Sequence, residues 1–230
     1  MNDMNGLPGG AVSKRPLHFI FLLDASGSMT NGTKIQSLNT AIREAIAAIQ
    51  EVAEMNPGVE LLVRAIKFGS RPQWHTEQAV RVRDFVWRDI TAGGETAMGE
   101  ALKTAAQVLT PDQVGKRALP PVLVLVSDGL PTDDFAGGLR TMMAQPWGKQ
   151  AIRLAVAIGQ DADEEILRQF IGRDDIPVVR ANAPQMLVER IKLVSVTAVQ
   201  SSSTGGDARG EQLREELTAH APVSGAGSVW

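Results

Sequence analysis

A chain of 230 residues with 43% apolar content is long enough to bury the core of one domain of ordinary size. Its 23 basic and 26 acidic residues are well mixed and leave a net charge of −3, which excludes a strong electrostatic partner such as a nucleic-acid backbone. With no cysteine there are no disulfides, thiolate metal sites or cysteine nucleophiles, and no apolar run approaches the roughly 18 residues that a membrane span needs.

Residues 1 to 16, "MNDMNGLPGGAVSKRP", are polar and rich in Gly and Pro, and read as a flexible leader. They lack the apolar stretch of a secretory signal, so a cytoplasmic protein is expected. "LHFIFLL" (17 to 23) is a continuous apolar run, too short for a helix and suited to a buried strand. After the turn at Asn31-Gly32, residues 34 to 55 carry Ile35, Leu38, Ile42, Ala45, Ile46, Ile49, Val52 and Ala53 at helical spacing, and Asn56-Pro57-Gly58 ends that helix. "VELLVRAIKF" (59 to 68) is a second strand. "RPQWHTEQAV" (71 to 80) and "RDFVW" (83 to 87) are more polar β segments of the kind found at an exposed edge. The Lys and Arg residues between Arg64 and Arg88 are interspersed with acids and read as a solvated surface.

"TAGGET" (91 to 96) is a Gly-rich loop opening the helix "AMGEALKTAAQVLT". "PVLVLVSDG" (121 to 129) is a strongly apolar strand ending on an Asp, followed by a short helix near 134 to 144. The strand "AIRLAVAIG" (151 to 159), a helix around 163 to 171, a short strand "IPVVR" (176 to 180) and a final helix from about 184 to 199 complete the domain. Residues 200 to 230 are Ser-, Gly- and Pro-rich and read as a mobile tail. Strands alternating with amphipathic helices, two of the strands apolar on both faces, predict an α/β domain over 17 to 199. Its sheet is doubly wound, mainly parallel and covered by helices on both faces.

In such sheets ligands sit at the carboxyl ends of the strands. Two buried strands end there in Asp24 and Asp128, and Gly93 and Gly94 free the loop before Thr96 to approach closely. Ser26 and Ser28 follow Asp24 at every second position, so in an extended loop the three side chains point the same way. Asp24, Ser26, Ser28, Thr96 and Asp128 are all hard oxygen donors, which suit Mg2+, Mn2+ or Ca2+ and disfavour zinc or copper. Two carboxylates balance a divalent charge, and three hydroxyls ligate or hold water without adding repulsion.

"DASGS", the Thr of "GGETAMGEAL" and the Asp of "VSDGLPTDD", each about 30 to 70 residues from the last, together resemble the metal-ion-dependent adhesion site of von Willebrand factor A domains. Within that family "SDGLPTDD" and the compact size look most like the bacterial tellurite-resistance TerY group. The resemblance covers roughly residues 16 to 199. It implies a six-stranded sheet with one antiparallel edge strand, and a metal whose last coordination position is left for a Glu or Asp of a protein partner. It further implies a non-enzymatic scaffold in a bacterial stress-response or defence system, in the company of a protein kinase and a PP2C-type phosphatase. Many TerY-like chains end in a cysteine-rich metal module, which this sequence does not contain.

Other readings of the same residues stay open at this level. Ser26 and Ser28 could cap the helix that begins near Lys34, Thr96 could be an N-cap, and Asp128 a turn residue before Gly129. Asp133 and Asp134 are read as helix-start acids. An EF-hand is excluded, since Met29 and Ile35 stand where the loop needs Gly and Glu. A serine hydrolase is excluded too, with neither serine in G-x-S-x-G and His18, His75 and His220 badly placed for a base. The rival enzyme class is a Mg2+ phosphohydrolase or phosphotransferase of haloacid-dehalogenase type. Those enzymes resemble D-x-D, and Ser26 cannot replace the second carboxylate as a general acid near neutral pH.

Overall fold

The computed structural model describes residues 14–180. Six strands form one sheet in the order β3-β2-β1-β4-β5-β6. They are β1 (Arg15–Asp24), β2 (Val59–Phe68), β3 (Pro72–Arg81), β4 (Val122–Ser127), β5 (Ile152–Ala157) and β6 (Val179–Arg180). All neighbours pair parallel except β2 with β3, which is the antiparallel edge. From Leu17 onward every residue of β1 is buried, as is all of β4. Side chains alternate across a strand, so burial of both sets requires a layer on each face of the sheet.

The helices are α1 (Lys34–Met55), α2 (Met98–Ala106), α3 (Pro111–Val114), α4 (Phe135–Met143), α5 (Pro146–Gln150) and α6 (Glu164–Ile171). In α1 the buried residues Leu38, Ala41, Ile42, Ala45, Ile49 and Val52 recur every three or four positions, which turns one stripe to the sheet. Among the described residues no helix is long and apolar enough to cross a membrane.

Three expectations change. Residues 83 to 87 are not a strand: Val82–Asp84 is a single 3-10 turn and the chain beyond it runs irregularly along α1. The far end of this segment is anchored by Asn39, buried on α1. Its Oδ1 accepts from the Ile90 N–H (3.0 Å) and the Trp87 indole (3.2 Å), and its Nδ2 donates to the Ile90 carbonyl (3.1 Å). A side chain thus satisfies backbone groups that a strand would satisfy by pairing. The helix expected to run to Thr110 stops at Ala106, and the short α3 and α5 follow unannounced. The strand at 176 to 180 shrinks to Val179–Arg180. The leader to residue 13, the helix expected at 184 to 199 and the tail lie outside the described residues.

Candidate functional site

Parallel register decides where the polar residues go. Asp24 lies level with Phe68 of β2, and β4 continues one residue further to Ser127 before Asp128. Both acids therefore emerge at the carboxyl edge of adjacent central strands. Four loops meet there through backbone hydrogen bonds. Gly27 N–H donates to the Gly94 carbonyl (2.8 Å) and Gly93 N–H to that of Ala25 (2.7 Å), tying the serine loop to the loop before α2. Thr132 N–H donates to the Thr96 carbonyl (3.0 Å), and Asp163 N–H to that of Asp128 (2.7 Å). Gly94 makes this possible with φ +88°, and a Cβ there would come within 2.5 Å of the Ser70 hydroxyl.

Asp24 is wholly buried. Its Oδ1 accepts from the Ser26 N–H (2.9 Å) and its Oδ2 from the Ser127 hydroxyl (2.5 Å). Burial pushes its carboxyl above the usual range, the bonds from Ser127 and Ser26 oppose that, and the charge of Asp128 adds to it. Among the described residues no basic group bonds Asp24, and the neighbouring charge of Asp128 favours a counter-cation.

The capping readings of the hydroxyls do not hold. The residue that begins α1 is capped by Thr33 in backbone only, with no side-chain bond, and the hydroxyls of Ser26 and Ser28 instead bond each other at 3.0 Å. Thr96 does not cap α2 either; the N-cap is Ala97. The carboxylate of Asp133 reaches back to accept from the N–H groups of Gly99 and Glu100, both at 2.8 Å. Asp133 is a helix-start acid as expected, but for α2, the helix before it; Asp134 caps α4 through Gly137 N–H. Thr96 is buried, its N–H donates to the Thr132 hydroxyl (3.1 Å), and its own hydroxyl makes no hydrogen bond among the described residues.

Asp128 is 3% exposed. Its Oδ2 accepts from the Lys34 ammonium at 3.3 Å, and its Oδ1 is buried without any partner. A buried carboxylate oxygen left bare is costly, on the order of 1–3 kcal/mol, unless something outside the polypeptide supplies a positive partner. That orphaned oxygen fits a bound cation. The turn reading of Asp128 finds no support in its side chain, since among the described residues neither carboxylate oxygen accepts from a backbone N–H of the loop. Among the described residues no group of three His, Cys, Asp or Glu could hold a metal, so a cation here would rest on two carboxylates and hydroxyls.

Three contributors went unforeseen. Ser127 and Thr132 orient Asp24 and the Thr96 backbone, and Lys34 reaches across from the first turn of α1 to Asp128 and, at 2.8 Å, to Asp161. Burial works against the Lys34 charge, but the hydrogen bonds to Asp161 and Asp128 outweigh it and hold its pKa above the usual lysine value. The Ser after a strand and just before Asp128 was a visible signal. Nothing local in the sequence marks the reach of Lys34.

A doubly wound sheet with one antiparallel edge, carrying at its carboxyl edge the loops of D-x-S-x-S, Thr96 and Asp128, defines the class. The von Willebrand factor type A domain model matches residues 19–190, and the chain belongs to that family. Three solved structures share the fold. Proximal thread matrix protein 1 from the mussel byssus is 19% identical, with TM-score 0.55, covering 80% of this chain and 48% of that one. The ArnB paralog VWA2 from Sulfolobus acidocaldarius is 18% identical, with TM-score 0.53 and coverage of 79% and 45%. The manganese-loaded TRAP protein of Plasmodium vivax is 18% identical, with TM-score 0.54 and coverage of 77% and 74%. At these identities the likeness is one of fold, and the match spans about half the length of the first two proteins. The chain has no match among curated proteins.

Proposed function

We propose that this domain binds one divalent cation through Asp24, Ser26, Ser28, Thr96 and Asp128 and uses it to grip a carboxylate of a protein partner. The single observation that carries the reading is the buried Oδ1 of Asp128, without a hydrogen-bond partner among the described residues, with the charge of a second buried carboxylate, Asp24, acting on Asp128 and the paired hydroxyls of Ser26 and Ser28 in the loop after Asp24. Neutral hydroxyls and two carboxylates leave a bound Mg2+, Mn2+ or Ca2+ with positive character to offer an incoming acid. The cation would supply Lewis acidity toward that acid. The chain's own part is to hold the donors in place: Ser127 and the Ser26 N–H fix Asp24, and Thr132 fixes the backbone at Thr96. Burial of Asp24, Ser26, Thr96 and Asp128 keeps water from their donors.

Two relatives support the cation. The Plasmodium protein is manganese-loaded, and a form of the mussel protein has a zinc-occupied MIDAS motif. On the resemblance of its sequence motifs to TerY-like chains, we further propose that the grip serves a cytoplasmic scaffold of a stress or defence system, with a kinase and a PP2C-type phosphatase as partners and no catalytic step of its own. Calorimetric titration of Mg2+, Mn2+ and Ca2+ into wild type and Asp24→Asn tests the reading. The isosteric change keeps the packing and removes one charge, which weakens binding by more than roughly a hundredfold at an effective dielectric near 20. Equal affinity of both proteins would end the proposal.

A further inference from the structure

Beside the cation site lies a second, separate concavity of about 210 Å³. It shares Ala25 of the serine loop and Gly93 of the loop before α2 with that site, so the two adjoin without a wall of secondary structure between them. Its other walls are basic and polar: Lys67 at the end of β2, Arg71 and Gln73 at the start of β3, and Ser70 between them. The Ser70 hydroxyl is held as acceptor by the Glu95 N–H at 3.1 Å, which fixes the rim.

Among the described residues the basic side chains on this side form no ion pair, although the acid Glu95 stands on the same rim. None of the ion pairs among the described residues uses Lys67, Arg71 or Arg88, and Glu95 forms none either. Burial first, then the charges of Arg88 and Lys67, hold the His75 imidazole below its usual range, so these cations crowd one small region. The opposite flank of the cation site is different. There the acids Asp161, Asp163, Glu164 and Glu165 follow β5, and the basic Lys34 and Arg180 are already paired with Asp161 and Glu164. An anionic segment laid across the site is therefore attracted to one side only.

We propose that the Lys67–Arg71 pocket takes a second carboxylate from the same partner segment whose first carboxylate meets the cation. The partner is then an acidic peptide segment bearing at least two Asp or Glu side chains, entering over Ala25 and Gly93 toward the antiparallel edge. This rests on the cation-binding reading above. Guanidinium and ammonium groups lining one concavity with a hydroxyl and the amide of Gln73, the cross-strand neighbour of Lys67, match a carboxylate with its hydration. Two exposed ion pairs are individually weak, so the pocket adds selection for acidic spacing more than bulk affinity.

The test uses the full chain saturated with Mg2+, with two blocked, labelled probes read by fluorescence anisotropy: hexaglutamate and the single-acid peptide Gly-Gly-Glu-Gly-Gly. The double variant Lys67→Gln/Arg71→Gln is compared with Lys116→Gln/Arg117→Gln, the same charge change on exposed residues before β4 at the opposite end of the sheet. The pocket variant weakens hexaglutamate roughly five- to tenfold and the single-acid peptide by less than about twofold; the control variant leaves both unchanged. Hexaglutamate binding that is no tighter than the single-acid peptide, unaffected by the pocket variant, or equally reduced by the control, overturns the second contact while chelator-sensitive binding keeps the cation reading intact. Binding that survives chelation overturns the cation reading and the two-point grip together.

Discussion

Lys34 is the nearest competitor for any cation at Asp128, and Lys34→Met measures that competition. The ammonium sits 3.3 Å from Asp128 Oδ2, with its side chain only 9% exposed. Two unit charges about 4 Å apart interact by about 1 kcal/mol even at the dielectric of water, and a divalent ion doubles that. The exposed Asp161, 2.8 Å from the same ammonium, offsets part of the repulsion. A net relief of about 1.4 kcal/mol, roughly tenfold in affinity, is expected when the charge is removed. The cation-free variant is also destabilised, because Asp128 loses its one basic neighbour while remaining buried. Calorimetry should find tighter Mg2+ binding, and thermal melts a larger rise in Tm on adding Mg2+ than in wild type. Equal or weaker Mg2+ binding by Lys34→Met would refute the argument and make Lys34 a strut of the site.

Two further outcomes follow from the packing. His18 donates from Nε2 to the Val114 carbonyl (3.1 Å), its Nδ1 has no partner, and burial, with help from the Arg64 charge, lowers its pKa to about 4. The unfolded chain takes up that proton below about 6.5, so this part of the stability is complete above that pH and fades as pH falls toward 4, by up to about 3 kcal/mol. Urea midpoints measured from pH 7 to pH 4 should fall more steeply for wild type than for His18→Gln, and parallel curves would contradict the assignment. Asp133→Ala removes the acceptor for two N–H groups at the start of α2 and should cost about 1 kcal/mol in urea unfolding, with Mg2+ affinity changed far less than by Asp24→Asn.

Much of the fold was legible because the sheet is doubly buried: "LHFIFLL" and "PVLVLV" have one reading, and the bounds of α1 and β2 follow from the periodicity and the Asn56-Pro57-Gly58 stop. The placement of Asp24 and Asp128 at one edge was legible for a related reason, since each stands at the end of a central strand whose place the topology fixes. What escaped depends on long-range side-chain contacts. The alternation of "RDFVW" looks like a strand, and nothing in it shows that Asn39, more than forty residues earlier, anchors its far end. Asp133 looked like a cap for the helix after it, yet serves α2 because the loop after β4 folds back over Gly99. Lys34 read as an ordinary first residue of a helix until α1 and the loop after β4 were brought together.

The proposed function stands or falls with a divalent cation held among these oxygens. A crystal of the protein grown with Mn2+, measured for anomalous scattering, tests it most directly. One strong peak is predicted, bounded by Asp24, Ser26, Ser28, Thr96 and Asp128, with the formerly bare Oδ1 of Asp128 facing the ion. A map at saturating Mn2+ with no peak there, and Lys34 still alone against Asp128, would contradict it.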